Sequence, residues 1–116
     1  MALPPLSEAR LWDVLLKAEA ELRPKTARFW ELIKIDPERW HAQKYGSGSH
    51  SFWAVGLFGQ RVIWYNEIES RCVTGFVLSD YHAYGQIGDQ RTHETELRYH
   101  VEQLIRHIDG EQAYSS

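Results

Sequence analysis

The sequence has a single cysteine, Cys72, so no disulfide can form within the chain and its fold has to rest on packing rather than on cross-links. Nowhere do apolar residues run to the roughly 20 that a membrane-crossing helix needs, so no transmembrane segment is expected. The opening "MALPPLSEAR" lacks a basic stretch followed by an apolar run, which makes the cytoplasm the expected location. Basic residues become scarce along the chain: residues 1–50 carry eight Lys/Arg against seven Asp/Glu, residues 51–116 only five against nine. An acidic second half argues against a nucleic-acid partner, whose backbone needs clustered Lys and Arg, and is better suited to a basic protein. Repeats, heptads and low-complexity tracts are missing as well.

What is present is a globular composition: 116 residues, 43% hydrophobic and 25% charged, enough for one domain with its own core. Five Trp, six Tyr and four Phe exceed what a small core needs, which suggests that some line a contact surface. Leu11, Trp12, Leu15, Leu16 and Leu22 follow a helical period behind Ser7 as N-cap and predict a helix over 8–22. Pro24 suits the first position of a second helix carrying Ala27, Phe29, Trp30 and Ile33. "IDPERW" repeats such entry signals, with Asp36 as cap and Pro37 next, and reads as a short third helical turn, so that 8–42 is helical throughout.

"KYGSGSH", residues 44–50, reads as a flexible joint and matches neither phosphate-binding glycine motif. Four strands are expected beyond it, at 51–58, 61–66, 72–78 and 83–87, with Gly59-Gln60 as a glycine-first two-residue turn. The first two are apolar at nearly every position, so both faces are covered or one is a contact surface. A last helix is expected over 93–109, capped by Thr92 and stopped by Gly110, with Leu97, Val101, Leu104, Ile105 and Ile108 buried. The expected fold class is α+β, with N-terminal helices, a four-stranded antiparallel meander and a C-terminal amphipathic helix packed on the sheet.

Within "HETELRYHVEQLIRH", His93, Glu96, His100, Gln103 and His107 share one helical stripe. The three histidines are seven residues apart, about 10 Å from one to the next, so no single ion can take all three. The stripe reads as a solvated flank of the buried face. On that reading His100, one turn after Glu96, and His107, at the negative end of the helix dipole, hold a proton more readily than an isolated imidazole.

The meander brings His50, Glu67, Glu69 and His93 to one end of the sheet, where they are candidates for acid-base chemistry; no metal site or cofactor is expected. His82 lies in the opposite turn. No nucleophile elbow is present, and Cys72 opens an apolar strand where a buried, inert thiol is expected.

"SFWAVGLFGQRVIWYNEIES", preceded by "RFWELIKIDPERW", resembles a group of small uncharacterised bacterial α+β proteins that share a "PE-(R/K)-W" turn, an "FW" strand and a strand ending "WYN-(D/E)-IE". The resemblance covers residues 28–87 and implies an arrangement of elements but no activity. Where that group often continues with Gly-Phe-Asn, this chain has "SRCVTG". In size and acidity the chain also looks similar to bacterial toxin-immunity proteins, which implies a protein partner and no catalysis.

Taken together, these features lead us to expect a non-enzymatic protein-binding module that meets a basic partner through Trp64, Tyr65, Asn66, Glu67 and Glu69. The alternative is a small-molecule or metal-dependent site at the same end, and a third reading is a homodimer whose sheet or final helix makes the interface, since two strands apolar on both faces need cover.

Overall fold

The structure, a computed structural model, describes residues 7–42, 50–66, 75–92 and 95–115, with side chains described at all of these except 42, 50 and 109–115. The chain is an α+β domain in the order α1 (Glu8–Ala20), α2 (Pro24–Ile33), β1 (Lys34–Ala42), β2 (His50–Phe58), β3 (Arg61–Tyr65), β4 (Phe76–Asp80) and α3 (Leu97–Ser115). The four strands form one antiparallel sheet in sequence order.

Local signals account for the ends of the first two helices. The Ser7 hydroxyl accepts from the Arg10 N–H, satisfying one of the donors that a helix start leaves open, and Leu11, Leu15 and Ala18 turn inward. Pro24 opens α2 behind an extended Arg23, and Trp30 and Ile33 turn inward from it. Gly59 links β2 to β3 with φ +59°, and no non-glycine residue has positive φ among those described, so the turn has glycine at its first position only. Gly59→Ala is expected to cost about 1 kcal/mol, read as a lower urea midpoint, because an L side chain crowds the following carbonyl at that φ.

Three expectations fail, each to a long-range pairing. Residues 34–42 are not helical: they form β1, with Trp40 opposite Phe52 and Arg39 opposite Trp53. Pro37 is tolerated there because the β1–β2 register shifts between Lys34 and Glu38, where a missing N–H costs no ladder bond. Residues 83–87 are not a strand of the sheet; Gln86 makes only an isolated parallel bridge to His41. Finally, α3 starts at Leu97 rather than at 93, since Thr95 is paired to Phe76 by two backbone bonds of 3.0 Å, and it runs past Gly110. The joint expected over 44–50 lies outside the described residues apart from the backbone of His50.

Segment 81–92 acts as a strap across both sheet edges. The His41 N–H donates to Gly85 O and the Ile87 N–H to His41 O on β1. On the other edge, the Asp80 N–H donates to Asp89 O, Gly88 N–H to Asp80 O and Arg91 N–H to Leu78 O. A Cβ on Gly88 would lie 2.7 Å from Asp80 O, so only glycine permits this approach. With β1 tied at His41 and β4 at Leu78 and Asp80 to one short segment, the sheet curls into a partly closed barrel.

The curl explains why β2 and β3 are apolar on both sides. One face packs Val55, Ile63, Tyr65, Phe76 and Leu78 against the three helices. The other encloses Trp40, Phe52, Ala54, Val62, Trp64 and Val77 beneath Tyr81 and Ile87 of the strap. A register shift between Ala54 and Gly56 moves the alternation by one residue, so Val55 and Phe58 face the helices while Leu57 faces inward. Cover for both faces thus comes largely from the chain itself, with Trp53, Leu57 and Phe58 of β2 partly buried.

Candidate protein-binding pocket

Of the residues expected to form a site, Trp64, Tyr65 and Asn66 are buried at 1%, 5% and 2% exposure, so their side chains are not offered to a partner. The Trp64 indole N–H donates to Ser79 Oγ at 2.9 Å inside the barrel, and Tyr65 packs edge-on against Phe76. The carboxylates and imidazoles grouped with them, Glu67, Glu69, His93 and the side chain of His50, lie outside the described residues, as does Cys72.

His100 reverses the expectation placed on the last helix. It is fully buried, and burial pushes its pKa down to about 4, which outweighs the bonds to the backbone of Phe76 and Thr95 that favour the charged ring. Nε2 lies 2.6 Å from Phe76 O and Nδ1 3.0 Å from Thr92 Oγ1, while Thr92 Oγ1 accepts the Leu78 N–H at 3.0 Å. These partners fix a neutral ring that donates from Nε2 to Phe76 O and accepts at Nδ1 from the Thr92 hydroxyl. Thr92 therefore ties the strap to β4 and α3 instead of capping a helix. His100 is a structural tie and Glu96 does not hold it charged.

The opening that combines aromatic and acidic groups lies elsewhere, between α1, α2 and the start of β1. It is a pocket of about 150 Å³ walled by Trp12, Trp30, Ile35 and Val55 and rimmed by Glu19, Glu31, Lys34 and Asp36. Trp30 is seated by its helix and by a hydrogen bond from its indole N–H to Glu19 Oε2 at 2.6 Å, and Gly56 leaves room for its ring against the sheet. Lys34 Nζ donates to Glu31 Oε1 at 2.9 Å and lies 3.8 Å from Glu19 Oε2; the bond to Glu31 raises the lysine's pKa most. With Asp36 the lining holds three carboxylates against one ammonium, which leaves it negative. Trp12 in the pocket wall is 37% exposed; elsewhere on the two helices Leu16 is 60% and Leu32 83% exposed.

The helical period placed Trp12 and Leu16 in the core stripe, but Leu11, Leu15 and Ala18 fill that role. Trp12 and Leu16 sit one residue, about 100°, further round the helix. An apolar arc wider than the core requires was the available sign of a surface.

Among the described residues no three His, Cys, Asp or Glu side chains come together as metal ligands, and no helix is long and apolar enough to cross a membrane. Comparison of the chain with protein-family models, with curated proteins and with solved structures found no match.

Proposed function

We propose that the protein is a non-enzymatic module that binds a basic segment of a partner protein, seating a lysine or arginine side chain of that partner in the pocket between α1 and α2. The observation that carries this is the pairing of solvent-exposed Trp12 with the Glu19, Glu31 and Asp36 rim. A long cationic side chain has an apolar stem and a charged tip, and the pocket offers indole and aliphatic walls below carboxylates in the same order. Lys34 already places an ammonium between Glu19 and Glu31, which supports the fit of such a group to this rim. Trp12 and Leu15 of α1 and Ile35 of β1 supply apolar contact within it.

The test is titration of the full chain with a lysine- and arginine-rich peptide and with an acidic peptide of equal length, followed by Trp fluorescence. The basic peptide is expected to bind and the acidic one not. Trp12→Ala and Asp36→Lys should each weaken binding about tenfold, the loss of one buried anchor or one charge pair. Unchanged affinity in both variants, with circular dichroism unchanged, would exclude this face.

A further inference from the structure

A second concave site lies at the β2–β3 turn, built from different residues and carrying the opposite charge. Gln60 and Arg61 at the turn, Asp80 at the end of β4, His82 and Arg91 of the strap and His107 of α3 line a cleft of about 420 Å³. This volume falls within the range of small-ligand sites.

Its geometry is built from backbone outward. Arg61 and Asp80 are direct cross-strand partners in the β3–β4 ladder. The strap fixes the Asp80 backbone on its other side through Asp89 O and the Gly88 N–H. The turn is clamped as well: the Tyr81 hydroxyl donates to Gly59 O at 2.9 Å and the Tyr81 N–H to Gln60 O at 2.8 Å. On this frame Asp80 holds two guanidiniums. Arg91 Nε donates to Oδ2 at 2.6 Å, with a second contact from an Arg91 terminal nitrogen, and Arg61 Nε lies 3.6 Å from Oδ1. Arg91 keeps the Asp80 carboxyl below its usual range, first by hydrogen bonding and then by charge.

Among the lining side chains two guanidiniums face one carboxylate, with Asp89 acting on Arg91 from outside the lining. Holding Arg91 by hydrogen bonds and Arg61 by a looser ion pair before a ligand arrives removes part of the entropic cost of binding. Each fork still has terminal N–H groups beyond those facing Asp80, because a guanidinium carries five donors. Imidazoles from His82 and His107 and the amide of Gln60 complete a wall with donors on several sides. A planar carboxylate would engage one fork. A tetrahedral group with three terminal oxygens and up to two negative charges engages both. The chain as a whole is acidic, with a net charge of −3, so a long polyanion would be repelled while a compact one meets mainly the local field.

We infer that this cleft binds a phosphoryl group, the terminal phosphate of a monoester, through Arg61 and Arg91 held in place by Asp80. The inference is independent of the basic-segment site, which shares no residue with it.

The experiment is an NMR titration of the full chain with inorganic phosphate and, separately, with acetate at low ionic strength, following the Arg Nε–H and histidine ring signals. Phosphate is expected to shift the Arg61 and Arg91 signals, and acetate to bind at least about tenfold more weakly, the difference that a second charge-assisted fork contact makes. Arg61→Gln and Arg91→Gln should each weaken phosphate about tenfold, and Arg91→Lys, which keeps the charge but loses the fork, should fall between. O-phosphoserine and a phosphoserine peptide separate the sources: tighter binding of the peptide places the group on a protein, and equal binding places it on a small metabolite. No phosphate shift, equal binding of acetate, or unchanged affinity in both glutamine variants with circular dichroism intact would overturn the assignment.

Discussion

Lowering the pH from 6.5 towards 4 is expected to remove about 3 kcal/mol of stability through His100 alone. The ring is buried and neutral in the folded chain, with its pKa pushed down to about 4 by desolvation, whereas an unfolded chain returns it to the ordinary value near 6.5. Between those values the unfolded state binds a proton that the folded state refuses, so stability falls as pH falls. The contribution is complete above about 6.5 and lost once the pH has passed through about 4.

His100→Leu isolates the effect. Phe76 O retains the Thr95 N–H and Thr92 Oγ1 retains the Leu78 N–H, so at neutral pH the variant should lose only about 1 kcal/mol. Near the acid end of the range it should be more stable than the parent. Urea denaturation at a series of pH values gives both curves, and curves that stay parallel would show that the ring does not refuse its proton.

Gly56→Ala is expected to cost about 2–3 kcal/mol, although alanine is ordinarily the better strand residue. A Cβ at this position would lie 2.6 Å from Trp30 Cζ3 and 3.0 Å from Cη2. The indole cannot swing aside cheaply: it is 1% exposed, and its N–H is bound to Glu19. Relief requires moving α2 relative to the sheet. Trp30→Phe removes the atoms that clash, so the double variant should be more stable than the sum of the two single changes predicts, by about 1–2 kcal/mol. Denaturant midpoints of the four proteins test this, and strict additivity would mean that the ring does not meet the new methyl group. Because Trp30 also walls the acid-rimmed pocket, Gly56→Ala should weaken binding of the basic peptide as well.

The elements legible in the sequence are those whose causes lie within a few residues of one another. Ser7 with Arg10, Pro24 at the head of α2, and Gly59 in its turn each act through a neighbouring backbone group, and they placed α1, α2 and the β2–β3 hairpin. The α+β class followed from the same signals. Where the reading went wrong, a local signal competed with a distant partner. "IDPERW" carries sound helix-entry chemistry, yet Trp40 gains far more apolar burial opposite Phe52 than a surface turn would give it. Thr92 is a good cap by type, but its hydroxyl serves Leu78 and His100.

Both candidate sites show the same division. That this chain is rich in tryptophan, short of clustered basic residues and apolar along both sides of two strands could be read from its residues alone. Which aromatics reach solvent could not: the pattern placed Trp12 in a core stripe and Trp64 at a surface, and what folds over each reverses both. The spacing of His100 and His107 along α3 was legible, since helical rise is a local property. The proton affinity of His100 was decided by the strap and β4 closing around it, and solvent exclusion is a property of the packed fold.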